Sequence, residues 1–399
     1  MIENKKCLAC GTDSIQTALD LGTQPLANSY KSSMDQLEDT FPLAVNVCKS
    51  CFHLQLSHTV DPEVIYKNYL YAAGTSKTLA DYSDWFANFC IEYAPEATTV
   101  LDIGCNDGTQ LNSFKQNNLT TFGIDPAENL HATSSANHSV VCDFFGPAAV
   151  TKLDSNSYDI ITAQNVFAHN PCPEQFLQTC KQLMHDNTLL FIQTSQADMV
   201  LNNEFDTIYH EHVNFFNTNS MRQLARRAGV NLIDVIKTPI HGNSYIFVIS
   251  KTRTRNYHVD NCVAMENILL QLDTYTKWRN TVEQNMIELK QTVVKLQDQG
   301  YKLVGYGAAA KGNTLLNFAG IDLEFIVDDS PLKQGLHTPG RNIPITGVES
   351  IQALDAEDKV VFIPLAWNFF NEIQTRIKNA RSNPNDIYLR YFPKVELSK

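Results

Sequence analysis

Four consecutive residues, Tyr209-His210-Glu211-His212, can each carry or accept a proton. Burying groups at that density costs desolvation, so they are unsuited to core padding and suited to acid–base work on a substrate. They join a polar strand end that carries Asn165 and His169. A metal is the chemical rival for a His-Glu-His run. Against it, neighbours in an extended chain point to opposite sides, and the helical HExxH spacing is absent. A purely structural polar network is the bland alternative.

Cys7-Leu-Ala-Cys10 and Cys48-Lys-Ser-Cys51 form two CxxC knuckles about 37 residues apart. Four thiolates from two such turns close a tetrahedron around Zn²⁺ and leave no position open for catalysis. The stretch between them, around residues 21–28, is poor in apolar residues, so metal is expected to supply folding energy that a core cannot. His53 lies nearby, but the set of four is complete without it.

The stretch from Val100 to Gly108 organises the middle of the chain. Val100, Leu101 and Ile103 around Asp102 read as a buried parallel strand, and Gly104 and Gly108 bracket Cys105-Asn106-Asp107 before a helix. The next strand ends in Asp125-Pro126, where a carboxylate can accept both hydroxyls of a ribose. The glycine spacing is not that of a dinucleotide fingerprint, and Asp102 and Asp107 would repel a pyrophosphate. A cationic, phosphate-free nucleoside fits better, which points to S-adenosylmethionine. Its expected contacts are Asp102, Gly104, Asn106, Gly108, Asp125 and Pro126. Asp143 and Phe144 would meet the adenine, Gln164 stands at a strand's carboxyl end, and Tyr71 and Ser76 are expected at the rim.

A second strand–turn–helix unit opens at Tyr306-Gly307-Ala308 and runs on to Lys311 and Asn313. No acid stands within this turn, so backbone donors, a helix dipole and one cation make it suitable for phosphate. A plain packed turn is the alternative. A long amphipathic helix over residues 269–299 precedes it, with Leu270, Tyr275, Val282, Ile287 and Val294 as its expected apolar face.

The net charge of −12 argues against nucleic acid or an anionic membrane surface as a partner. No apolar run reaches spanning length, and the first residues contain no leader-like segment, so a cytoplasmic chain is expected. Cys90, Cys105, Cys142 and Cys180 lie in apolar or helical runs, as buried reduced thiols would. The expected architecture is α/β: an N-terminal Cys₄ zinc module (1–60), a Rossmann-like domain whose order of motifs resembles the class I methyltransferases (61–255) and a smaller Rossmann-like α/β domain (256–399).

The chain resembles the sugar-nucleotide C-methyltransferases of deoxysugar biosynthesis. The likeness rests on the paired knuckles, Leu101-Asp-Ile-Gly-Cys-Asn-Asp-Gly108, Tyr209-His-Glu-His212, His241-Gly-Asn-Ser and Gly305-Tyr-Gly-Ala-Ala-Ala-Lys-Gly-Asn313. It departs at Asn243, where that pattern has a glycine. The resemblance implies a dTDP-linked 4-keto-6-deoxy sugar as substrate, methylated at C3 or less often C5. It implies His212 as base, with Tyr209, Glu211, His169 and Asn165 as companions. His241, Asn243, Tyr306, Gly307, Ala308, Lys311 and Asn313 would hold the sugar nucleotide, and a monomer is expected. An O- or N-methyltransferase, or a non-catalytic sugar-nucleotide sensor, are the competing readings.

Overall fold

The computed structural model describes residues 1–66, 77–195, 198–240, 243–254 and 257–399. Two compact units are woven from alternating stretches. One comprises Met1–Gln16, Asn46–Ala197 and Val213–Gln271; the other comprises Thr17–Val45, Asp198–His212 and Leu272–Lys399.

The first unit is built on seven strands: β1 (Thr99–Ile103), β2 (Thr120–Asp125), β3 (Ser139–Cys142), β4 (Tyr158–Gln164), β5 (Met184–Ser195), β6 (Asn231–Thr238) and β7 (Ser244–Ser250). They lie in the order β3-β2-β1-β4-β5-β7-β6. The first five run parallel, and β7 inserts antiparallel between β5 and β6. Val100, Leu101 and Ile103 are buried, as a central parallel strand covered on both faces requires. Phe86, Phe114 and Phe191 fill one core cluster, and Tyr158, Phe167 and Phe247 another. The strand order reverses between β1 and β4, which opens a crevice at their carboxyl ends.

Helices α1 (Lys77–Tyr93), α2 (Thr109–Gln116) and α3 (Thr218–Ala228) belong to this unit. A reciprocal capping box of Asn217 and Ser220 starts α3, and left-handed Gly229 stops it. Cys142 is exposed at the end of β3, contrary to the expectation of a buried thiol, whereas Cys90, Cys105 and Cys180 are buried.

In the second unit the long helix α4 spans Leu272–Asp298 and buries Tyr275, Trp278, Val282, Met286, Leu289, Val293 and Leu296. Ile287 and Val294, assigned to that face from sequence, are 50% and 55% exposed. A step of five residues swings the side chain by about 140° from its predecessor, whereas steps of three and four hold one stripe. The stretch between the knuckles also differs from expectation. Leu19, Leu21, Leu43 and Val45 are buried on its two long strands, Ile15–Pro25 and Thr40–Cys48, so it has apolar mass of its own.

After α4 come β8 (Tyr301–Tyr306), helix α5 (Ala310–Ala319), β9 (Phe325–Val327), β10 (Ile345–Thr346), β11 (Lys359–Pro364), β12 (Ile387–Arg390) and β13 (Glu396–Ser398). The sheet order is β10-β9-β8-β11-β12-β13, parallel except for the closing hairpin. Among the described residues, no helix is long and apolar enough to cross a membrane.

Candidate active site and metal centre

The crevice of the first unit is a cleft of about 280 Å³. Asp102, Gly104, Asn106, Asp125, Pro126, Phe144, Gln164, Asn165 and His169, all singled out from sequence, line it. Gly108 and Asp143 do not. Gly108 opens α2 at φ +86°, and a Cβ on it would meet Ser134 Cα at 3.3 Å. The Asp143 carboxylate is held 2.6 Å from Lys152 Nζ and accepts from the Phe144 amide. Tyr71, Ser76 and His241 lie outside the described residues.

Gly104 (φ +74°) must be a glycine, because a Cβ would fall 2.2 Å from Val166 Cγ2. Asn106 and Asn165 also have positive φ, at 51° and 53°, a conformation asparagine tolerates better than most residues. The Asp125 carboxylate accepts from the amides of Asn106 (2.9 Å) and Ala127 (2.8 Å), which fixes its direction. Each oxygen keeps a second lone pair for a ribose hydroxyl. Asp102 is wholly buried, and burial pushes its pKa up to about 7 against the opposing hydrogen bond from Thr162 Oγ1 at 2.6 Å. Burial also raises Asp125, over the lowering effect of its two amides. Two carboxylates costly to ionise are suited to a cation entering between them. Asp107, expected to repel phosphate from the cleft, instead turns back to accept from Thr109 and caps α2. Phe144, Phe145 and Phe176 give the wall apolar faces for a purine. This donor set fits S-adenosylmethionine.

His169 ends a short 3₁₀ turn, Phe167–His169, on the loop that leaves β4. Burial holds its pKa down near 4, so the ring is neutral. Gln164 Nε2 donates to Gln110 Oε1 (2.9 Å), and Gln110 Nε2 donates to the Ser83 carbonyl, which ties β4 to α2 and α1.

The sulfur atoms of Cys7, Cys10, Cys48 and Cys51 all lie within 4.8 Å of one another. The amides of Cys10, Ser50 and Cys51 point at thiol sulfur at 3.3–3.4 Å, the pattern of a knuckle wrapped around a metal. Four sulfurs at this spacing fit Zn²⁺ as a closed structural site. His53 is buried and bonded to Asn214, outside the ligand set. No other group of metal-ligating side chains occurs among the described residues, the 209–212 segment included.

In the second unit the 209–212 segment is a turn, closed by His212 N–H donating to the Tyr209 carbonyl, not an extended strand. Adjacent side chains are therefore not forced to opposite faces. Tyr209 OH lies 2.9 Å from His212 Nε2, and His212 Nδ1 lies 2.8 Å from the Thr207 carbonyl. Both ring nitrogens are thus engaged, and the Thr207 carbonyl orients the ring. Glu211 is buried, raised to about 7 by that burial, and accepts from Asn28 Nδ2 at 2.6 Å. His210 packs edge-on to Phe41 and bonds its carbonyl, with burial holding its pKa near 4.

The turn after β8 carries Gly307 (φ +89°), whose amide donates to Val327 O at 2.7 Å. Asp328, the residue after Val327, accepts from Ala308 N at 2.7 Å. An acid therefore does stand at this turn, supplied by the next strand, and it takes one of the donors expected for phosphate. The same arrangement recurs in the first unit, where Gly104 N donates to Ile124 O at 2.7 Å and Asp125 follows. Lys311 Nζ sits 5.2 Å over the Trp367 ring, and its charge lowers the pKa of the buried acids Glu204 and Asp206 against the upward push of burial. Tyr306 OH donates to Asp329, and Asn313 Nδ2 donates to Ala27 O. Asn243, in the first unit, has φ +86°, which is the conformation a glycine takes most readily.

Sequence reasoning missed Asn28 and Tyr30. Asn28 reaches Glu211, and Tyr30 OH donates to Ala308 O at 2.5 Å, across 183 and 278 residues of chain. Nothing local to those positions signals either contact. Phe145 and Gln110 of the cleft were likewise missed, although both flank singled-out motifs, and Cys105 was read only as a buried thiol.

Three family descriptions match successive parts of the chain: "Putative zinc binding domain" over residues 7–66, "Methyltransferase domain" over 75–235 and "C-methyltransferase C-terminal domain" over 239–389. The chain is 27% identical to the C-methyltransferase NovU of Streptomyces niveus, across 95% of this chain and 93% of that one. A ubiquinone biosynthesis O-methyltransferase of Glaesserella parasuis is 36% identical, but over 24% of this chain and 44% of its own. A solved S-adenosylmethionine-dependent methyltransferase from Clostridium acetobutylicum aligns with 45% of this chain and 94% of its own, at 11% identity and a TM-score of 0.36.

Proposed function

This chain belongs to the S-adenosylmethionine-dependent C-methyltransferases, and we propose that it methylates carbon C3 of a nucleotide-linked 4-keto-6-deoxy sugar, with dTDP as the nucleotide. We assign zinc binding to residues 1–60, cofactor binding to 61–255 and sugar-nucleotide binding to 256–399. The observation that carries the substrate class is the Tyr209–His212 pair. Oxygen and nitrogen are nucleophiles already, whereas carbon must first lose a proton, and a ketone alongside makes that C–H acidic enough for a side-chain base.

Bound S-adenosylmethionine supplies an electrophilic methyl group. Asp102 and Asp125 hold its cationic and ribose portions, and Phe144 and Phe145 cover the purine. His212 receives the C3 proton at Nε2, whose lone pair faces the Tyr209 hydroxyl until substrate draws that hydroxyl away, while Nδ1 gives its hydrogen to Thr207. Tyr209 OH then donates to the enolate oxygen, a contact worth roughly 3–4 kcal/mol at comparable oxyanion sites. The electron pair left on C3 would take the methyl group from the bound cofactor, the C–S electron pair staying with sulfur. His169 and Asn165 are assigned to the same reaction as neutral hydrogen-bonding groups. Asn243, Tyr306, Gly307, Ala308, Lys311, Asn313 and His241 are assigned to the sugar nucleotide.

The test is incubation with a dTDP-4-keto-6-deoxy sugar and isotopically labelled methyl donor, reading the product by mass and by carbon NMR. Label on C3 supports the reading. Label on oxygen or nitrogen sinks it, and label on C5 moves the reacting carbon. Without methyl donor, deuterium from solvent should enter the sugar next to the ketone.

A further inference from the structure

A chain of buried contacts in the first unit runs from the zinc knuckle to the wall of the cofactor cleft. His53 follows Cys51 by two residues, and its Nε2 lies 3.1 Å from Asn214 Oδ1. Asn214 Nδ2 donates to the Asn170 carbonyl at 2.7 Å, and Asn170 lines the cleft. A carbonyl can only accept, so the amide of Asn214 has one permitted orientation: Nδ2 toward Asn170 and Oδ1 toward an N–H on His53.

A second path of rings runs beside the first. His53 lies 4.6 Å from Phe216, and Phe216 stacks on Phe167 at 5.1 Å. Phe167 begins the turn that carries His169. Both paths leave one residue and arrive on one loop, residues 165–171, which forms a side of the cleft. The starting point is itself tied to the knuckle, because Cys48 N–H donates to the His53 carbonyl at 2.9 Å. The following strand, Leu54–Leu56, pairs with Asn214–Phe215.

We infer that Asn214 is a positioning residue that couples the zinc site to the cofactor cleft, so that zinc and S-adenosylmethionine each strengthen the binding of the other. Asn214 is buried and is the hydrogen-bonded step between His53 and the Asn170 carbonyl, so the wall of the cleft is registered against the knuckle. When the knuckle opens, His53 is released and the Asn170 wall loses its anchor. Linkage makes the effect reciprocal: cofactor that holds the wall in place must hold the knuckle closed by the same factor. The inference rests on the cofactor and zinc assignments given above.

The test uses the whole zinc-loaded protein and follows zinc release to a chromogenic chelator, with and without saturating S-adenosylhomocysteine. In the wild type the nucleoside should slow release about fivefold or more. Asn214→Leu, which keeps the branched heavy-atom skeleton and removes both hydrogen bonds, should bring the two rates together. Asn219→Ala is the control, since Asn219 Nδ2 donates to Cys51 O at 3.1 Å and Asn219 does not line the cleft. That variant should speed release with and without nucleoside and leave the ratio at the wild-type value. Calorimetric titration of the nucleoside on the same samples separates a lost link from a lost cofactor site. If Asn214→Leu does not fold, Asn214→Asp can still accept from His53 but cannot donate to Asn170, and it should lower the ratio likewise. A wild-type ratio near one with nucleoside bound, or an unchanged ratio in the Asn214 variant, overturns the inference.

Discussion

The Tyr209 hydroxyl and His212 Nε2 stand 2.9 Å apart, and in that pair the tyrosine is the donor. The direction follows from the far side of the ring, where Nδ1 must give its hydrogen to the Thr207 carbonyl 2.8 Å away. The lone pair on Nε2 is therefore pre-aimed, with a phenol as its nearest proton. His212→Asn should lower kcat by about 10²–10⁴-fold, the usual worth of a positioned base, and Tyr209→Phe by less. S-adenosylhomocysteine affinity should stay at the wild-type value in both. Calorimetry decides, and a matching loss of affinity would remove these residues from the proton-transfer role.

Cofactor affinity should depend on pH through Asp102. Its pKa is raised to about 7 by burial, so much of it is protonated in the free protein at neutral pH. A cation binds the ionised form better, so affinity for S-adenosylmethionine should rise as pH climbs from about 6 to 8 and fall on the acid side. Asp102→Asn should bind weakly with a flat profile. A sloping profile in that variant would place the titrating group elsewhere.

Gly104→Ala should disturb the cofactor site more than the fold. The added methyl lands on Val166, which lines the cleft, and the φ of +74° disfavours any side chain. Backbone strain of this kind costs about 1–3 kcal/mol. The expected result is a loss of nucleoside affinity of about tenfold or more, with a modest drop in melting temperature. Unchanged affinity would show that the loop after β4 can shift without consequence.

Burial dominates the ionisation of Glu211, and Asn28 moderates it. Burial pushes that carboxyl up to about 7, and the Asn28 bond pulls it down. Asn28→Leu leaves the upward push unopposed by that donor. If ionised Glu211 is needed, activity is lost as pH falls through its pKa, so the acidic limb of kcat/KM should move to higher pH. A limb that stays in place would show that Glu211 does not titrate during turnover.

Zinc should be present at one ion per chain and be required for the fold of its module. Removing it leaves four sulfurs packed within 4.8 Å, which repel one another as thiolates and must take up protons. Chelation, or Cys48→Ser, should lower the melting temperature, because structural zinc contributes folding free energy directly. An unaltered melting curve after verified zinc loss would reduce the site to an ornament.

What was readable from sequence shares one property: it is local. The knuckles, the Gly104 turn and Asp125 are fixed by spacings of a few residues, or by one strand following another. The features that were not readable depend on distant partners. Asn28 and Tyr30 acquire their roles only when the segment between the knuckles is folded against Glu211 and Ala308. Asp328 meets the Gly307 turn because parallel pairing sets β9 in register with β8. Asp143 was expected at the adenine, yet a lysine nine residues on claims its carboxylate. The misassigned face of α4 had a different origin: apolar residues were chosen by type, while the turn of the helix selects Trp278 and Met286 over Ile287 and Val294.

The chain crosses between its two compact units five times, at 16/17, 45/46, 197/198, 212/213 and 271/272. No single cut frees either unit. A protein ended at Gln271 would still carry Tyr30 but would lack Ala308, whose carbonyl the Tyr30 hydroxyl meets. A chimera that exchanges the second unit between relatives therefore needs three grafted segments, and recombination at one breakpoint would pass on neither half intact.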